Sequence, residues 1–448
     1  MLTNISPTGA GSDDIHPKLL IAGASLLAGP ICHLFHVSVN ERRFPKLWKI
    51  SNIVPIPKKQ HITNETDLRG ISLLPIISKL LEKIIIKKHK TELIENFGWN
   101  QYAYRSLSST TCCAIRIHDF ATSHLDKARS CGFRTISFDM SRAFETISHL
   151  LLMRKLSSID LPIGFVRWLA SYLLDRHQRV KLFSHFGEWR ATTSSVPQGS
   201  CLGPLLFSIF VKDLSSIHDS TLLVKFADDL NLCAGYDKDT LKEDHSKITD
   251  EINNIFDWTS KHNLCLNGMK TKQITYAKGS SSLPPTGFKD AENIRILGFV
   301  FAPNLNWNLH LDHVVKNASR RLFALKHLKD CLDTPSLIKI YNACIRSILE
   351  YGSPLFIGAA SKDLSKLDYI QRRAEKIIGC DQLPNLTSRR YAAAYKLLNL
   401  AEKHSTHVLH DLIPHRNLRT LEFNGIFCNS TRRSNSFVPF ITTNQNLK

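Results

Sequence analysis

The chain has 448 residues, 43% of them hydrophobic, which is enough for two or three domains with substantial cores. Its 58 lysines and arginines against 39 aspartates and glutamates give a formal charge of +19, which favours a polyanionic partner such as nucleic acid. The eleven scattered cysteines include no C-x-x-C pair, which argues against a disulfide framework and a structural zinc site and suits a reducing compartment. We therefore expect an intracellular protein, in the nucleus or the cytoplasm.

The first notable segment is an uncharged run over residues 19–40, which raises the question of a membrane span. Gly23 and Pro30 dilute its apolar character, and Asp13 and Asp14 precede it where a signal peptide needs positive charge. The run therefore predicts a buried helix rather than a membrane segment, and no targeting signal is seen.

The next segments are rich in basic residues. Residues 41–90 hold twelve basic residues against four acidic ones, which fits either a solvated helix face or a surface for nucleic acid. "FPKLWKISNIVPIPKK" predicts an extended segment, because its second and third prolines exclude a helix. Helices are predicted over 75–98, which opens with proline, and over 108–128, where serine and threonine can cap the first turn.

The middle of the chain alternates strands and helices. "RTISFDM" (134–140) predicts a strand, and "SRAFETISHLLLMRKL" after it predicts a helix. "LLVKFADDLNLCAGY" (222–236) predicts two strands with an aspartate pair at the bend between them. The other predicted elements are paired strands in "RHQRVKLF" and "EWRATTSSV", an apolar helix over 203–217, an amphipathic helix over 240–262, and strands in "KQITYA" and "NIRILGFVF".

From about residue 303 the pattern becomes helical. Helices are predicted over 309–330, 335–349 and 362–379, followed by shorter pieces to about residue 414 and a polar tail from about 415. The layout is a mixed part followed by an α-helical part, which predicts an α+β fold.

The aspartate pair Asp228 and Asp229 stands inside a run that otherwise suits a buried strand. Two like charges about 4 Å apart repel by roughly 4 kcal/mol at an effective dielectric constant of about 20, so the pair needs either a solvated turn or a divalent cation. Asp139 ends an earlier strand, and one antiparallel sheet can bring all three carboxylates together as oxygen ligands for Mg²⁺. Each aspartate alone fits a turn or cap residue equally well.

A set of motifs in a fixed order decides between these alternatives. The chain resembles the reverse transcriptases of non-LTR (LINE-type) retrotransposons, and within them the jockey-like elements. The matching runs are "WKISNIVPIPKK" and "LRGISLLPIISKLLEKII" (fingers), "NQYAYRSLSSTT", "SFDMSRAFETISH" (motif A), "SSVPQGSCLGPLLFSIFVKDL" (motif B), "KFADDLNL" (motif C), "LNGMKTKQITY" (motif D), "IRILGFVF" (motif E), and "YNACIRSILEYGSPLF" with "LDYIQRRAEKIIG" (thumb). A single F-A-D-D is weak evidence, whereas this ordered set is specific.

The resemblance implies a right-hand polymerase that adds deoxynucleotides to a primer 3′ end on an RNA template. Its fold would combine fingers, a palm built on an antiparallel sheet and an α-helical thumb. The implied divisions are a lead-in and fingers over 1–133, a palm over 134–302, a thumb over 303–414 and a polar tail over 415–448. The implied partners are an RNA template, a DNA or RNA primer and deoxynucleoside triphosphates, with no membrane; an oligomeric state is not implied.

The resemblance also assigns the site residues. The catalytic carboxylates would be Asp139, Asp228 and Asp229, and Met140 would add its backbone carbonyl to a site for two Mg²⁺ ions, with Mn²⁺ as an alternative. The substrate-binding residues would be Lys58 and Arg69 on the triphosphate, Phe144 as the gate against a ribose 2′-hydroxyl, Gln198 and Gly199 beside the nascent base pair, and Lys270, preferred over Lys272, as the proton donor to pyrophosphate.

The chain also departs from the family pattern. Gly70 replaces the usual proline after Arg69, Glu145 replaces an aspartate after Phe144, and Ala103 and Tyr104 replace glycine and phenylalanine. The departures fit either an active lineage or a decaying copy that only binds nucleic acid, so this inactive remnant is the alternative. An intron maturase is disfavoured, since residues 401–448 hold only six basic residues against three acidic ones. If the chain is complete, it lacks the upstream endonuclease of the family, and we expect it to copy a primed template without nicking its target.

Overall fold

The computed structural model describes residues 1–5, 9–279, 282–380, 383–417 and 419–446. Its strands are β1 (Ile50–Pro57), β2 (Leu68–Leu73), β3 (Ser130–Ser141), β4 (Arg176–Leu182), β5 (His185–Phe186), β6 (Arg190–Thr192), β7 (Thr221–Phe226), β8 (Asp229–Asp237), β9 (Cys265–Leu266), β10 (Lys272–Ala277), β11 (Ile294–Ile296) and β12 (Phe299–Phe301). Its helices are α1 (Pro17–Ala22), α2 (Ala24–Asn40), α3 (Ile76–Glu95), α4 (Thr110–Asp126), α5 (His149–Ser157), α6 (Ile163–Leu173), α7 (Gly203–Phe210), α8 (Leu241–Lys261), α9 (Asn308–Leu328), α10 (Thr334–Ile340), α11 (Ser347–Glu350), α12 (Ser361–Ile378), α13 (Leu386–Lys403), α14 (Thr431–Ser434) and α15 (Phe437–Asn446).

The chain divides into two compact units, each made of separate stretches of sequence. The first unit comprises Met1–Tyr104, Met140–Ser215 and Asn254–Leu266, and the second comprises Arg105–Asp139, Ser216–Asn253 and Asn267–Lys448. Strand β3 and helix α8 therefore contribute residues to both units.

The first unit contains a mixed sheet of strand order β2-β1-β4-β5, with β6 also paired to β4. β1 is antiparallel to β2 and parallel to β4. An aromatic cluster fills the core beside it, where the Phe44 ring lies edge-on to Trp48, Trp168 and Tyr172, with centroids 5.9, 5.5 and 5.0 Å away. Such edge-to-face pairs add to the stability that apolar burial provides.

The second unit is built on an antiparallel sheet of strand order β10-β3-β8-β7. Most residues of β3, β7 and β8 are buried, and helix α4 packs against β7 and β8. The helices that follow β12 pack on one another through fully buried side chains, including Leu311 of α9 and Leu367 of α12. A π-helical segment, Tyr341–Arg346, joins α10 to α11. Two sheet-containing units with helices packed around them confirm the α+β class.

Several predicted boundaries have the expected local cause. Helix α3 begins directly after Pro75, and the hydroxyl of Ser109 accepts a hydrogen bond from the Cys112 N–H at 3.2 Å, capping α4. The two strands predicted around the aspartate pair are β7 and β8. All eleven cysteines lie among the described residues and are free thiols.

The helix predicted over 141–156 is wrong in its first half. Ser141 is the last residue of β3, residues 142–148 form no helix, and α5 begins only at His149. Arg142 has a positive φ of 50°, which ends strand β3 without starting a helix, and the Ser148 hydroxyl caps α5 by accepting from the Leu151 N–H.

The helix predicted over 19–40 is present as two helices, but the prediction that it is buried is wrong. The segment forms α1 and α2, which separate at Gly23, and Leu26 of α2 is 82% exposed. Ile31 and Phe35 supply the buried face, so the helix is amphipathic although it carries no charge. Within the described part of the chain, no helix has both the length and the apolar character that a membrane crossing requires.

The segment predicted as a polar tail from residue 415 is partly folded. Its described residues form α14 and α15, with Phe437, Val438 and Ile441 buried. The guanidinium of Arg433 pairs with the Asp119 carboxylate of α4 at 2.6 Å inside the second unit. Residues 418, 447 and 448 of this segment lie outside the described residues. The proposed division into fingers, palm, thumb and tail stays a prediction.

Candidate active site

The aspartate pair lies at a tight turn between β7 and β8. Phe226 pairs with Asp229 across the antiparallel ladder, which leaves Ala227 and Asp228 as a two-residue turn. Ala227 has a φ of 54°, in the left-handed region that tight hairpin turns require. The turn therefore places Asp228 at the tip of the hairpin and Asp229 at the first position of β8.

Asp139 lies directly across from Asp229. The register of β3 with β8 pairs these two residues, and paired residues on antiparallel strands have Cβ atoms about 4.5–5.5 Å apart. The backbone carbonyl of Asp139 accepts a hydrogen bond from the Asn267 N–H at 2.8 Å, which anchors the end of β3. The sheet thus brings the three predicted catalytic aspartates to one end of the second unit, while their catalytic role stays a prediction.

The electrostatics of this sheet end are unfavourable for three carboxylates. Crowding by protein atoms, followed by the negative charges of Asp228 and Asp139, raises the pKa of Asp229 to about 6. Asp229 is nevertheless exposed to water. Of the causes of its raised pKa, a bound cation would remove the repulsion by Asp228 and Asp139. The cluster thus favours binding of positive charge.

A lysine also reaches this cluster. The Nζ of Lys270 lies 3.4 Å from Oδ2 of Asp139, although the Lys270 side chain is 64% exposed. An exposed pair of this kind contributes little to stability, which leaves the ammonium free to exchange partners. Lys272 instead occupies the first position of β10, opposite Ser137. The geometry thus favours Lys270 over Lys272 as the lysine nearest the carboxylates.

The carboxylates have the chemistry that a hard divalent cation prefers, but their side chains are not arranged to hold one. Mg²⁺ prefers oxygen ligands, and a cluster of carboxylates supplies them. Among the residues that the structure describes, however, no three His, Cys, Asp or Glu side chains are arranged to hold a metal ion. The role of Asp139, Asp228 and Asp229 as ligands of such a cation stays a prediction.

The predicted triphosphate-binding cations lie together in the first unit. Arg69 pairs with Ile56 in the β1–β2 hairpin, and the Lys58 N–H donates to the Asp67 carbonyl just beyond the last paired residues. Both side chains are exposed at the same end of the hairpin. Gly70, which replaces the family's proline, pairs with Pro55, and a Cβ there would approach the Ile53 side chain to 2.9 Å.

The predicted turn beside the nascent base pair is tied to the same hairpin. The Gln198 carbonyl accepts a hydrogen bond from the Ser72 N–H of β2 at 2.8 Å. Gly199 has a φ of 122°, and a Cβ there would lie 2.8 Å from the Ser72 carbonyl oxygen. Only glycine fits this backbone conformation and this close approach. Within the first unit, β2 and the turn at 198–199 are therefore held in register.

The remaining predicted residues, Met140 and Phe144, lie within motif A. Phe144 lies in the turn after β3 rather than on a helix, and its half-buried ring stacks on Phe207 of α7 with centroids 4.6 Å apart. Met140 is buried and pairs with Leu266 of β9 within the first unit. Their roles as steric gate and as carbonyl ligand stay predictions.

One buried acidic residue was not predicted from the sequence. Glu82 of α3 is fully buried and accepts hydrogen bonds from the backbone N–H groups of Cys201 and Leu202, at 2.7 and 3.1 Å. Burial raises the pKa of Glu82, and these two N–H groups oppose the shift. The carboxylate thus fixes the loop between Gly199 and α7. Its only signal in the sequence is a lone acid on the apolar face of "KLLEKII".

Comparison with known proteins identifies the family of the chain. The reverse transcriptase (RNA-dependent DNA polymerase) family matches residues 56–301, which is more than half of the chain. The chain belongs to this family, and the resemblance predicted from its motifs is confirmed.

The relatives narrow the family further. The chain is 24% identical to the probable RNA-directed DNA polymerase from transposon X-element of Drosophila melanogaster, over 89% of this chain and 46% of the relative. It is 26% identical to that from transposon BS (80% and 42%) and 23% identical to the RNA-directed DNA polymerase from mobile element jockey (76% and 38%), both of the same organism. The chain spans less than half the length of these relatives. The predicted likeness to non-LTR elements is confirmed.

Solved structures are similar at a lower level. Apo telomerase from Candida tropicalis shows 14% identity with a TM-score of 0.44, over 89% of this chain and 67% of that one. Telomerase from Candida albicans, solved with the TWJ fragment of telomeric RNA, shows 13% identity with a TM-score of 0.39, over 84% and 64%.

Proposed function

We propose that this chain is an RNA-directed DNA polymerase that extends a primer 3′ end with deoxynucleotides. The observation that carries the proposal is the pairing of Asp139 with Asp229 across two antiparallel strands, with Asp228 in the adjoining turn. The curated relatives with this sequence pattern are named RNA-directed DNA polymerases of transposons. Since this chain spans less than half of their length, their names do not establish its activity and substrates, which are part of this proposal.

In this proposal Asp139, Asp228 and Asp229 hold the divalent cations, with the Met140 carbonyl as a further ligand. Two Mg²⁺ ions, or Mn²⁺ in their place, would supply charge neutralisation at the phosphates and a lower pKa at the primer hydroxyl. Crowding by protein atoms, followed by the charges of Asp228 and Asp139, raises the pKa of Asp229 to about 6, so a cation bound here would favour its charged form. Lys270, whose Nζ lies 3.4 Å from Oδ2 of Asp139, would donate a proton to the departing pyrophosphate.

The proposal also assigns the groups that would contact the incoming nucleotide. Lys58 and Arg69 would grip its triphosphate, where the planar guanidinium can bind two oxygens at once. Phe144 would exclude a ribose 2′-hydroxyl by its bulk, and Gln198 and Gly199 would border the new base pair. Catalysis would then rest on positioning and on charge stabilisation, without a covalent intermediate on the protein.

Primer extension tests this proposal. We expect the full chain to extend a DNA or RNA primer on an RNA template with deoxynucleotides and Mg²⁺, and Asp228→Asn to abolish extension while leaving template affinity largely intact. Asp239→Asn is the matched control, since Asp239 is an exposed aspartate just beyond the other end of β8. Retained extension by Asp228→Asn would remove the aspartates from the catalytic role.

The second candidate is an inactive relative that binds nucleic acid through its basic surface. The observations that favour it are the departures from the family pattern at Gly70, Ala103, Tyr104 and Glu145. Both candidates predict binding that weakens steeply with salt, since lysine and arginine contacts to phosphates release counterions. A folded chain that binds the template but does not extend the primer would select this candidate.

A further inference from the structure

The hairpin at residues 176–192 of the first unit is called here the aromatic hairpin. It exposes several large apolar side chains to solvent. Leu182 pairs with His185, so Phe183 and Ser184 form the two-residue turn between β4 and β5. Phe183 is 89% exposed, and Phe186 and Trp189 are also exposed. Clustered exposed aromatics of this kind mark a contact surface more often than a fold requirement.

Basic side chains are interleaved with these rings. The Cζ of Arg179 lies 4.0 Å from the Phe186 ring centroid and 4.4 Å from that of Trp189, and its Nε donates to the Asn52 side chain at 2.9 Å. The Nζ of Lys181 lies 5.3 Å from the Phe186 centroid. The guanidinium thus holds two rings in fixed positions while adding positive charge beside them.

The charge of this surface is not neutralised locally. Residues 176–192 contain four lysines and arginines against one acid, Glu188. Arg179, Lys181 and Arg190 take part in no ion pair among the residues that the structure describes. A face with exposed rings and uncompensated cations is complementary to a strand that carries both bases and phosphates.

Packing within the hairpin accounts for only part of this surface. The stack on Arg179 explains why Phe186 and Trp189 are retained, because it stabilises the hairpin itself. It does not explain Phe183, which has a positive φ of 55° at a turn position that favours glycine or asparagine. A bulky ring in a strained and exposed position brings no benefit to the fold that the structure reveals.

We propose that the aromatic hairpin is a stacking platform for single-stranded nucleic acid, with bases on Phe183 and Trp189 and phosphates beside Lys181 and Arg190. Stacking tolerates any base, so the platform would hold an unpaired strand without reading its sequence. The identity of that strand as template rests on the proposed function, whereas the binding itself does not.

The test measures fluorescence anisotropy of a labelled twelve-nucleotide oligouridylate and of a twelve-base-pair RNA duplex. Deoxynucleotides and divalent cations are omitted, so that the proposed active site takes no part. We expect Phe183→Ala to weaken binding of the single strand by about tenfold with no change for the duplex, and Phe183→Tyr to restore it. Phe427→Ala is the matched control, because Phe427 is 84% exposed in the second unit.

The other outcomes would overturn the proposal. If Phe183→Ala and Phe427→Ala bind the single strand with the same affinity, the hairpin is not a stacking platform. If Phe183→Ala loses the same affinity for the duplex as for the single strand, the hairpin contacts phosphates only. Pelleting with phosphatidylserine vesicles that depends on Phe183, without an effect on RNA, would assign the face to a membrane surface. Primer extension separates the two proposals, since a chain that fails to extend can still show Phe183-dependent binding.

Discussion

Replacing Glu82 should disturb the candidate site through the loop that it holds. In Glu82→Ala the N–H groups of Cys201 and Leu202 lose their acceptor inside the first unit. Glu82→Gln retains one oxygen that both N–H groups can reach, so it is the conservative comparison. The loop carries the turn at Gly199, which the proposed function places beside the new base pair.

The size of the stability loss in Glu82→Ala follows from the two backbone N–H groups that lose their acceptor. A buried donor without a partner costs about 1–3 kcal/mol, and the Cys201 N–H is only partly buried, so Glu82→Ala should lower the free energy of unfolding by roughly 2–4 kcal/mol. Glu82→Gln should change it by about 1 kcal/mol or less. Because burial raises the pKa of Glu82 above its ordinary 4.5, wild type should lose stability relative to Glu82→Gln as pH rises through the folded pKa.

Urea unfolding followed by tryptophan fluorescence measures this effect, because five of the six tryptophans lie in the first unit. Primer extension should also slow in Glu82→Ala, while template affinity stays close to wild type. An unfolding midpoint for Glu82→Ala equal to that of wild type would refute the role of this carboxylate, and so would a stability difference between wild type and Glu82→Gln that does not vary with pH.

Three further substitutions test separate parts of the account. Gly199→Ala should cost about 1–3 kcal/mol and slow extension, because it forces a Cβ onto a carbonyl oxygen of β2; a normal unfolding midpoint would contradict this. Phe144→Ala should raise the ratio of ribonucleotide to deoxynucleotide incorporation, and an unchanged ratio would remove Phe144 from the gate. Arg433→Met should destabilise the second unit by about 3–5 kcal/mol by stranding the buried carboxylate of Asp119, and the double variant with Asp119→Leu should recover most of the loss in thermal unfolding.

The sequence predicted those elements whose cause is local. The alternation around the aspartate pair and the Ser109 cap of α4 are signals contained within a few neighbouring residues, and the structure has both. The three aspartates met at one sheet end because the register of β3 with β8 follows from their buried runs.

The failed predictions have partners that are distant in sequence. Residues 141–148 have a helix-like composition, but the Phe144 and Ile147 carbonyls accept hydrogen bonds from the N–H groups of Val196 and Ser195. These bonds hold the segment as turns, and no local pattern reveals them. Glu82 was missed for the same reason, since its two backbone donors lie about 120 positions away along the chain and, among the residues that the structure describes, only the Ser78 hydroxyl donates to it from nearby.

The N-terminal and C-terminal segments show the limits of composition. The uncharged run of α2 suggested burial, yet Leu26 is largely exposed, because a helix lies on its neighbours with one face only. The last segment was taken as polar on average, whereas Phe437 and Ile441, four positions apart, supply the apolar face of α15.

The most direct measurement of the central claim counts the cations that the aspartates hold. Mn²⁺ binding, followed by electron paramagnetic resonance with a primed RNA template and the next deoxynucleotide, should reveal two bound ions in wild type and in Asp239→Asn. Asp139→Asn and Asp228→Asn should lose at least one of these ions while still binding the primed template. If both variants hold as many ions as wild type, the paired aspartates are not the metal ligands and the account of the site is wrong.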